Sequence, residues 1–252
     1  MDHLIVEQHA GWVALTLNRP AVKNALNTAL LGDVAAALAA CDADPACRTV
    51  LISGAGGHFA AGADIAEMAT KTAADSAGDP RKAHWAAIRA FGKPLIAAVD
   101  GYALGGGFEL ALKADLIVLG ATARVGLPET SLGVIPGAGG TQHLLALIGR
   151  ARASRMILTG EVIDAATAYD WGIAGWLAAG SALPDATALA IRVATRAPLA
   201  LRAAKSVLVA GDEANRAFVA ERAAFEALHD TGDKAEGIAA FLAKRPPSFT
   251  GT

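Results

Sequence analysis

Chemistry in this chain concentrates in two stretches. Gly101-Tyr102-Ala103-Leu104-Gly105-Gly106-Gly107-Phe108-Glu109-Leu110 puts three consecutive glycines at a strand-to-helix turn and a carboxylate two residues later. Leu127-Pro128-Glu129 brings a second carboxylate 20 residues on. Glycines without side chains let backbone N–H groups approach a ligand atom, and a helix beginning there adds its positive end. Another turn of this kind lies at Gly62-Ala63, where a glycine-rich loop passes into a short helix. Two N–H groups from Ala63 and Gly106 converging on one oxygen would form an oxyanion hole, suited to a carbonyl that gains negative charge. The same glycines are equally compatible with turns that are merely tight.

Glu109 sits among Phe108, Leu110, Ala111 and Leu112, and Glu129 lies between Pro128 and the apolar run 132–136. A carboxylate in such surroundings must be paired, hydrogen-bonded or protonated, and burial drives its pKa up, which suits general acid and base work. Taken singly, each glutamate also reads as an ordinary helix-surface or loop residue.

Other chemistries fail on their templates. Gly54-Ala55-Gly56 and Gly137-Ala138-Gly139 lack the third glycine of a dinucleotide fingerprint, and no Lys-Ser or Lys-Thr follows as in a phosphate-binding loop. No serine occupies a nucleophile elbow and no histidine pair has zinc-protease spacing. Cys41 and Cys47, with no histidine cluster nearby, read as free thiols of a reducing compartment. The net charge of −2 gives no electrostatic case for nucleic acid or an anionic membrane as partner. Mean hydropathy is +0.39, yet no run of about 18 uncharged apolar residues exists; burial, including at a subunit interface, accounts for it. The N-terminus has no basic segment leading into an apolar one, so the expected location is the cytoplasm.

The elements that must position these residues alternate at first. Strands are expected at 12–17, 49–53, 94–99 and 116–119, and helices from Asn24 to about Ala40, over 81–91 and over 107–113. The polar segment 70–82 reads as a mobile flap, not a domain linker. Strand and helix in alternation predict a layered α/β core. Past Gly140 the pattern is helical: 141–148, 151–159, 165–171, 189–209, 215–228 and 235–243.

Over essentially its whole length the chain resembles the enoyl-CoA hydratase/isomerase (crotonase) family. The resemblance runs through Leu17-Asn18-Arg19-Pro20 with Asn24-Ala25-Leu26, then Phe59-Ala60-Ala61-Gly62-Ala63-Asp64-Ile65 with Glu67-Met68. It continues through Lys93-Pro94-Leu95-Ile96-Ala97-Ala98-Val99 into the glycine turn, and through Leu127-Pro128-Glu129 to Ile135-Pro136-Gly137-Ala138-Gly139-Gly140-Thr141-Gln142. It implies a spiral of ββα turns over residues 1–190 and a C-terminal helical trimerisation region over 191–252, together one catalytic unit. It also implies a homotrimer or a dimer of trimers, and hydration of an enoyl-CoA with no metal or redox cofactor, CoA arriving as part of the substrate. In these roles Ala63 and Gly106 are the oxyanion-hole donors and Glu109 and Glu129 the paired catalytic glutamates; enoyl-CoA isomerisation or another acyl-CoA reaction of the family is the alternative. CoA contacts are implied for Lys23, for Ala60, Ala61, Asp64, Ile65 and Ala66, and for Phe241 and Lys244, the last two from a C-terminal helix. One departure stands at Ala66, where many hydratases have a lysine that meets a CoA phosphate. The stretch 59–68 and the ending 244–249 further resemble bacterial hydratases of phenylacetate degradation.

Overall fold

A computed structural model describes residues 3–68, 78–211, 231–243 and 245–252. Much of the flap at 70–82, the helix expected at 215–228, and Lys244 lie outside the described residues; so does the side chain of Phe241.

A six-stranded sheet forms the backbone of the fold. Its order is β1 (Leu4–His9), β2 (Trp12–Leu17), β3 (Thr49–Gly54), β4 (Leu95–Val99), β6 (Leu116–Leu119) and β9 (Trp176–Leu177). Only β1 and β2 pair antiparallel; every later pairing in this sheet is parallel. A smaller sheet joins β5 (Tyr102–Leu104), β7 (Arg124–Gly126) and β8 (Val162–Asp164), and Ala60 adds a parallel bridge to Ala103 at its edge. The middle turns of the chain lay one strand in the large sheet, one in the small sheet, and then a helix: β4, β5 and α4 (Gly106–Ala111) are one such unit. This is the expected ββα spiral.

The central strands are apolar throughout because both faces are covered. Val50 and Ile52 of β3, and Leu95, Ala97 and Val99 of β4, join the main core with α1 (Thr28–Ala43) and α3 (Pro80–Arg89). The alternate residues Leu51, Ile96, Ala98 and Val118 face α7 (Ala182–Ala194), whose Ala182, Ala186, Leu189, Ala190 and Ala194 pack against them. Small side chains at those positions let the helix approach the sheet closely. Helix starts are fixed by local caps: Asn27 accepts from the Leu30 N–H, and Asp79 caps α3 ahead of Pro80.

The structure amends several expectations. Strand β1 was missed because only Leu4 of its six residues is buried, so it carries no apolar alternation. Strands β5, β7, β8 and β9 have two or three residues each, below the length at which periodicity speaks. The helix expected over 189–209 is two helices, α7 and α8 (Pro198–Gly211), broken where Pro198 starts the second. A division at residue 190 falls inside α7, which packs on the large sheet to Ala194, so the core extends at least that far. In α5 (Gly140–Thr159), Gly149 at φ 71° separates the two expected helical segments. Among the described residues the remaining α-helices are α2 (Ile65–Met68), α6 (Ala165–Asp170) and α9 (Gly232–Leu242). Among the described residues no helix is long and apolar enough to cross a membrane.

Candidate active site

The glycine turn between β5 and α4 has a separate reason at each position. Gly105 adopts φ 49°, ψ −128°, a conformation that strains any other residue, and a Cβ there would stand 3.2 Å from Glu129 Oε1. A Cβ at Gly106 would lie 3.7 Å from the Ala63 nitrogen. At Gly107 it would overlap the Ala60 carbonyl oxygen, so α4 reaches the Ala60 segment only without a side chain. One turn thus brings together Glu129, the Ala63 N–H and the start of α4.

The segment holding Ala63 is threaded between two partners. The Ala60 N–H donates to the Tyr102 carbonyl at 2.9 Å and the Leu104 N–H to the Ala60 carbonyl at 3.0 Å. On the other side, the Leu26 N–H donates to Gly62 O (2.8 Å) and the Asp64 N–H to Leu26 O (3.1 Å). In extended backbone neighbouring N–H groups point to opposite sides, so the Ala63 N–H is turned away from Leu26 and toward Gly106. Gly106 is the first residue of α4, where an N–H has no acceptor within its helix. Among the described residues neither N–H has an acceptor. Two adjacent free donors, one at a helix N-terminus, form a cradle for a single oxygen.

The two glutamates occupy different environments. Glu109, buried in the first turn of α4, has Oε1 held by two backbone donors, the Ala138 N–H at 2.7 Å and the Gly140 N–H at 2.8 Å. Both donors meet one oxygen, which leaves Oε2 for another partner. Glu129 opens the short 3₁₀ turn Glu129–Leu132, and its buried Oε2 has no hydrogen-bond partner. Burial pushes its pKa up to about 7, with the Glu109 charge adding to the rise and a backbone hydrogen bond opposing it. Two backbone donors thus hold one carboxylate in place while burial favours the protonated form of its neighbour, an arrangement suited to paired base and acid work.

Residues expected at the CoA wall divide. Ile65 and Ala66 are exposed, Ala61 is partly exposed, and Lys23 is exposed with its ammonium 4.8 Å from the centre of the Tyr102 ring. The Asp64 carboxylate is occupied by Arg19 Nη1 at 2.9 Å and by the Ala66 N–H, so it braces the loop. Ala60 is completely buried, with its N–H and carbonyl both bonded to β5.

Sequence reasoning missed the clamp on Glu109. The run Gly137-Ala138-Gly139-Gly140 failed as a nucleotide loop, but its meaning is the same chemistry turned inward, with backbone donors cradling the protein's own carboxylate. A Cβ at Gly140 would sit 3.0 Å from Glu109 Cγ, so the glycine is required. Glu67 was also unassigned; its Oε2 accepts from both the N–H and the hydroxyl of Thr28, at 2.8 Å each, tying α2 to the start of α1.

The enoyl-CoA hydratase/isomerase family model matches residues 7–252. The chain belongs to this family. It is 46% identical to the 2,3-dehydroadipyl-CoA hydratase of Escherichia coli (strain K12), with 100% of each chain covered. It is 37% identical to the crotonyl-CoA hydratase of Syntrophomonas wolfei, covering 98% of both. Among solved structures, an enoyl-CoA hydratase from Geobacillus kaustophilus superposes with a TM-score of 0.95 at 39% identity, over 100% of this chain and 99% of that one. The fold is accordingly the crotonase fold.

Proposed function

We propose that the protein is an enoyl-CoA hydratase that adds water reversibly across the 2,3-trans double bond of an enoyl-CoA, giving a 3-hydroxyacyl-CoA. The observation that carries this reading is the meeting of two unlike carboxylates with two free N–H groups at one turn. The Ala63 and Gly106 N–H groups receive the thioester oxygen, which makes C3 electrophilic and stabilises the enolate formed on attack. Glu109 orients a water and takes one of its protons as the hydroxyl bonds to C3. Glu129 delivers its proton to C2. The carboxylates exchange protonation states in the process, and a proton returned from solvent to Glu129, with one lost from Glu109, closes the cycle. The Glu109 charge adds to the upward shift of the Glu129 pKa. An isomerase needs only one group to shuttle a proton between carbons; two carboxylates in distinct states favour hydration.

The acyl group we infer is one ending in a second carboxylate, as in the substrate named for the E. coli relative. CoA enters as part of the substrate, contacting Lys23 and the 61–66 segment, and the reaction takes no metal or redox cofactor. The assembly is a homotrimer or a dimer of trimers in the cytoplasm. Exposed Leu158, Leu208 and Val209 support burial of α5 and α8 between subunits. Product analysis with crotonyl-CoA and with a panel of enoyl-CoAs, including one with a terminal carboxylate, tests the reading. Formation of 3-hydroxyacyl-CoA is expected, with the highest kcat/KM for the carboxylate-bearing member. A product with only a shifted double bond would overturn it.

A further inference from the structure

Four residues beyond Glu109, and so on the same face of the chain leaving α4, stands Lys113. Its Nζ lies 2.8 Å from His143 Nε2 in the first turns of α5. It also packs directly on Gly139, where a Cβ would come within 2.9 Å of the ammonium. Gly139 separates Ala138 from Gly140, the two residues whose N–H groups hold Glu109 Oε1. The His143 N–H in turn donates to the Gly139 carbonyl at 3.0 Å. The clamp on Glu109 is therefore held at Gly139, by Lys113 against its backbone and by His143 through main chain and ring.

A lysine is an expensive way to fill this space. Burial draws the Lys113 pKa down to about 8 and the nearby Arg89 charge lowers it further, against a smaller opposing pull from Glu109. An unbranched apolar side chain would pack there without those costs. What it would not supply is a directional bond to His143.

We propose that the Lys113–His143 hydrogen bond is a positioning device for Glu109, locking the 138–140 turn so that both N–H groups stay on Oε1 and the free oxygen stays aimed at the water. The proposal rests on the hydratase reading, in which Glu109 orients that water. Lys113 and His143 touch no reacting atom; they act through the turn. Loosening the turn misplaces the base without changing the surface that meets CoA, so kcat falls and KM does not.

Steady-state hydration of crotonyl-CoA by Lys113→Met, His143→Leu, His143→Gln and the Lys113→Met/His143→Leu double variant tests this. Lys113→Met and His143→Leu are each expected to lower kcat roughly 10- to 100-fold with KM within about twofold. His143→Gln, whose amide oxygen can accept from Lys113, recovers most of the loss. The double variant is no worse than either single one, because both remove one bond. Thermal midpoints taken alongside should hold or rise in Lys113→Met; if that variant fails to fold, the two His143 variants carry the comparison. Unchanged kcat in the single variants, or a Gln variant as impaired as the Leu variant, overturns the proposal. Wild-type enzyme in the same assay separates the two readings: if it forms no 3-hydroxyacyl-CoA, the hydratase reading has failed, whatever the pair does.

Discussion

Glu129 and Glu109 are the same residue type with opposite solvation. Two N–H donors hold Glu109, whereas Glu129 buries an oxygen with nothing to bond. For Glu129 the folded pKa, about 7, lies above the ordinary 4.5, so folding favours its protonated form. Its favourable contribution is complete below pH 4.5 and is lost as pH rises through 7; above that, the buried charge is a cost. Partial solvation scales this to about 2 kcal/mol. Glu129→Gln should therefore be more stable than the wild type above pH 7, with the difference shrinking toward pH 4.5, as read from thermal midpoints across that range. Parallel curves would show that Glu129 does not titrate near neutrality. Carbon-13 NMR of labelled glutamate gives the same answer directly, one carboxyl resonance titrating near pH 7 that disappears in Glu129→Gln. Gly140→Ala tests the other carboxylate: its methyl would press on Glu109, and kcat should fall on the order of 100-fold with substrate binding retained. Activity close to wild type would mean that the clamp tolerates displacement.

At the scale of elements, the site is a meeting of chain turns. Helix α4 can approach the Ala60 segment only because position 107 has no side chain, and that approach brings the Gly106 N–H to Ala63. Gly107→Ala would favour the helix by propensity yet overlap the Ala60 carbonyl; a net loss of about 1–3 kcal/mol is expected in denaturant unfolding, together with a lower kcat. A neutral or stabilising result would show that the contact yields without cost. These elements were unevenly legible in the sequence. Strands β3 and β4 announced themselves, being apolar at every position because both faces are covered. Glu109, Glu129, Ala63 and Gly106 drew notice through glycine placement and apolar neighbours, but their pairing came from the family resemblance. Ala138 and Gly140 stayed silent because they act through N–H groups that every residue type except proline carries. Lys113 and His143 stayed silent because their bond spans 30 residues of chain.

For the whole molecule, apolar surface left outside the two cores is informative. Leu158 of α5 is 74% exposed and Leu208 of α8 is 72% exposed. Sedimentation at micromolar concentration should give a trimer or a dimer of trimers of the 25.4 kDa chain; a monomer there would leave those leucines unexplained. The central claim is that two glutamates and a pair of backbone donors hydrate an enoyl-CoA. Its most direct test is the single-turnover rate of crotonyl-CoA hydration in Glu109→Gln and Glu129→Gln, with Kd for the CoA ester measured on the same samples. Each variant is predicted to bind within about threefold of wild type and to lose on the order of 10²–10⁴ in rate. Near-normal turnover in either one would contradict the account and remove that carboxylate from the chemistry.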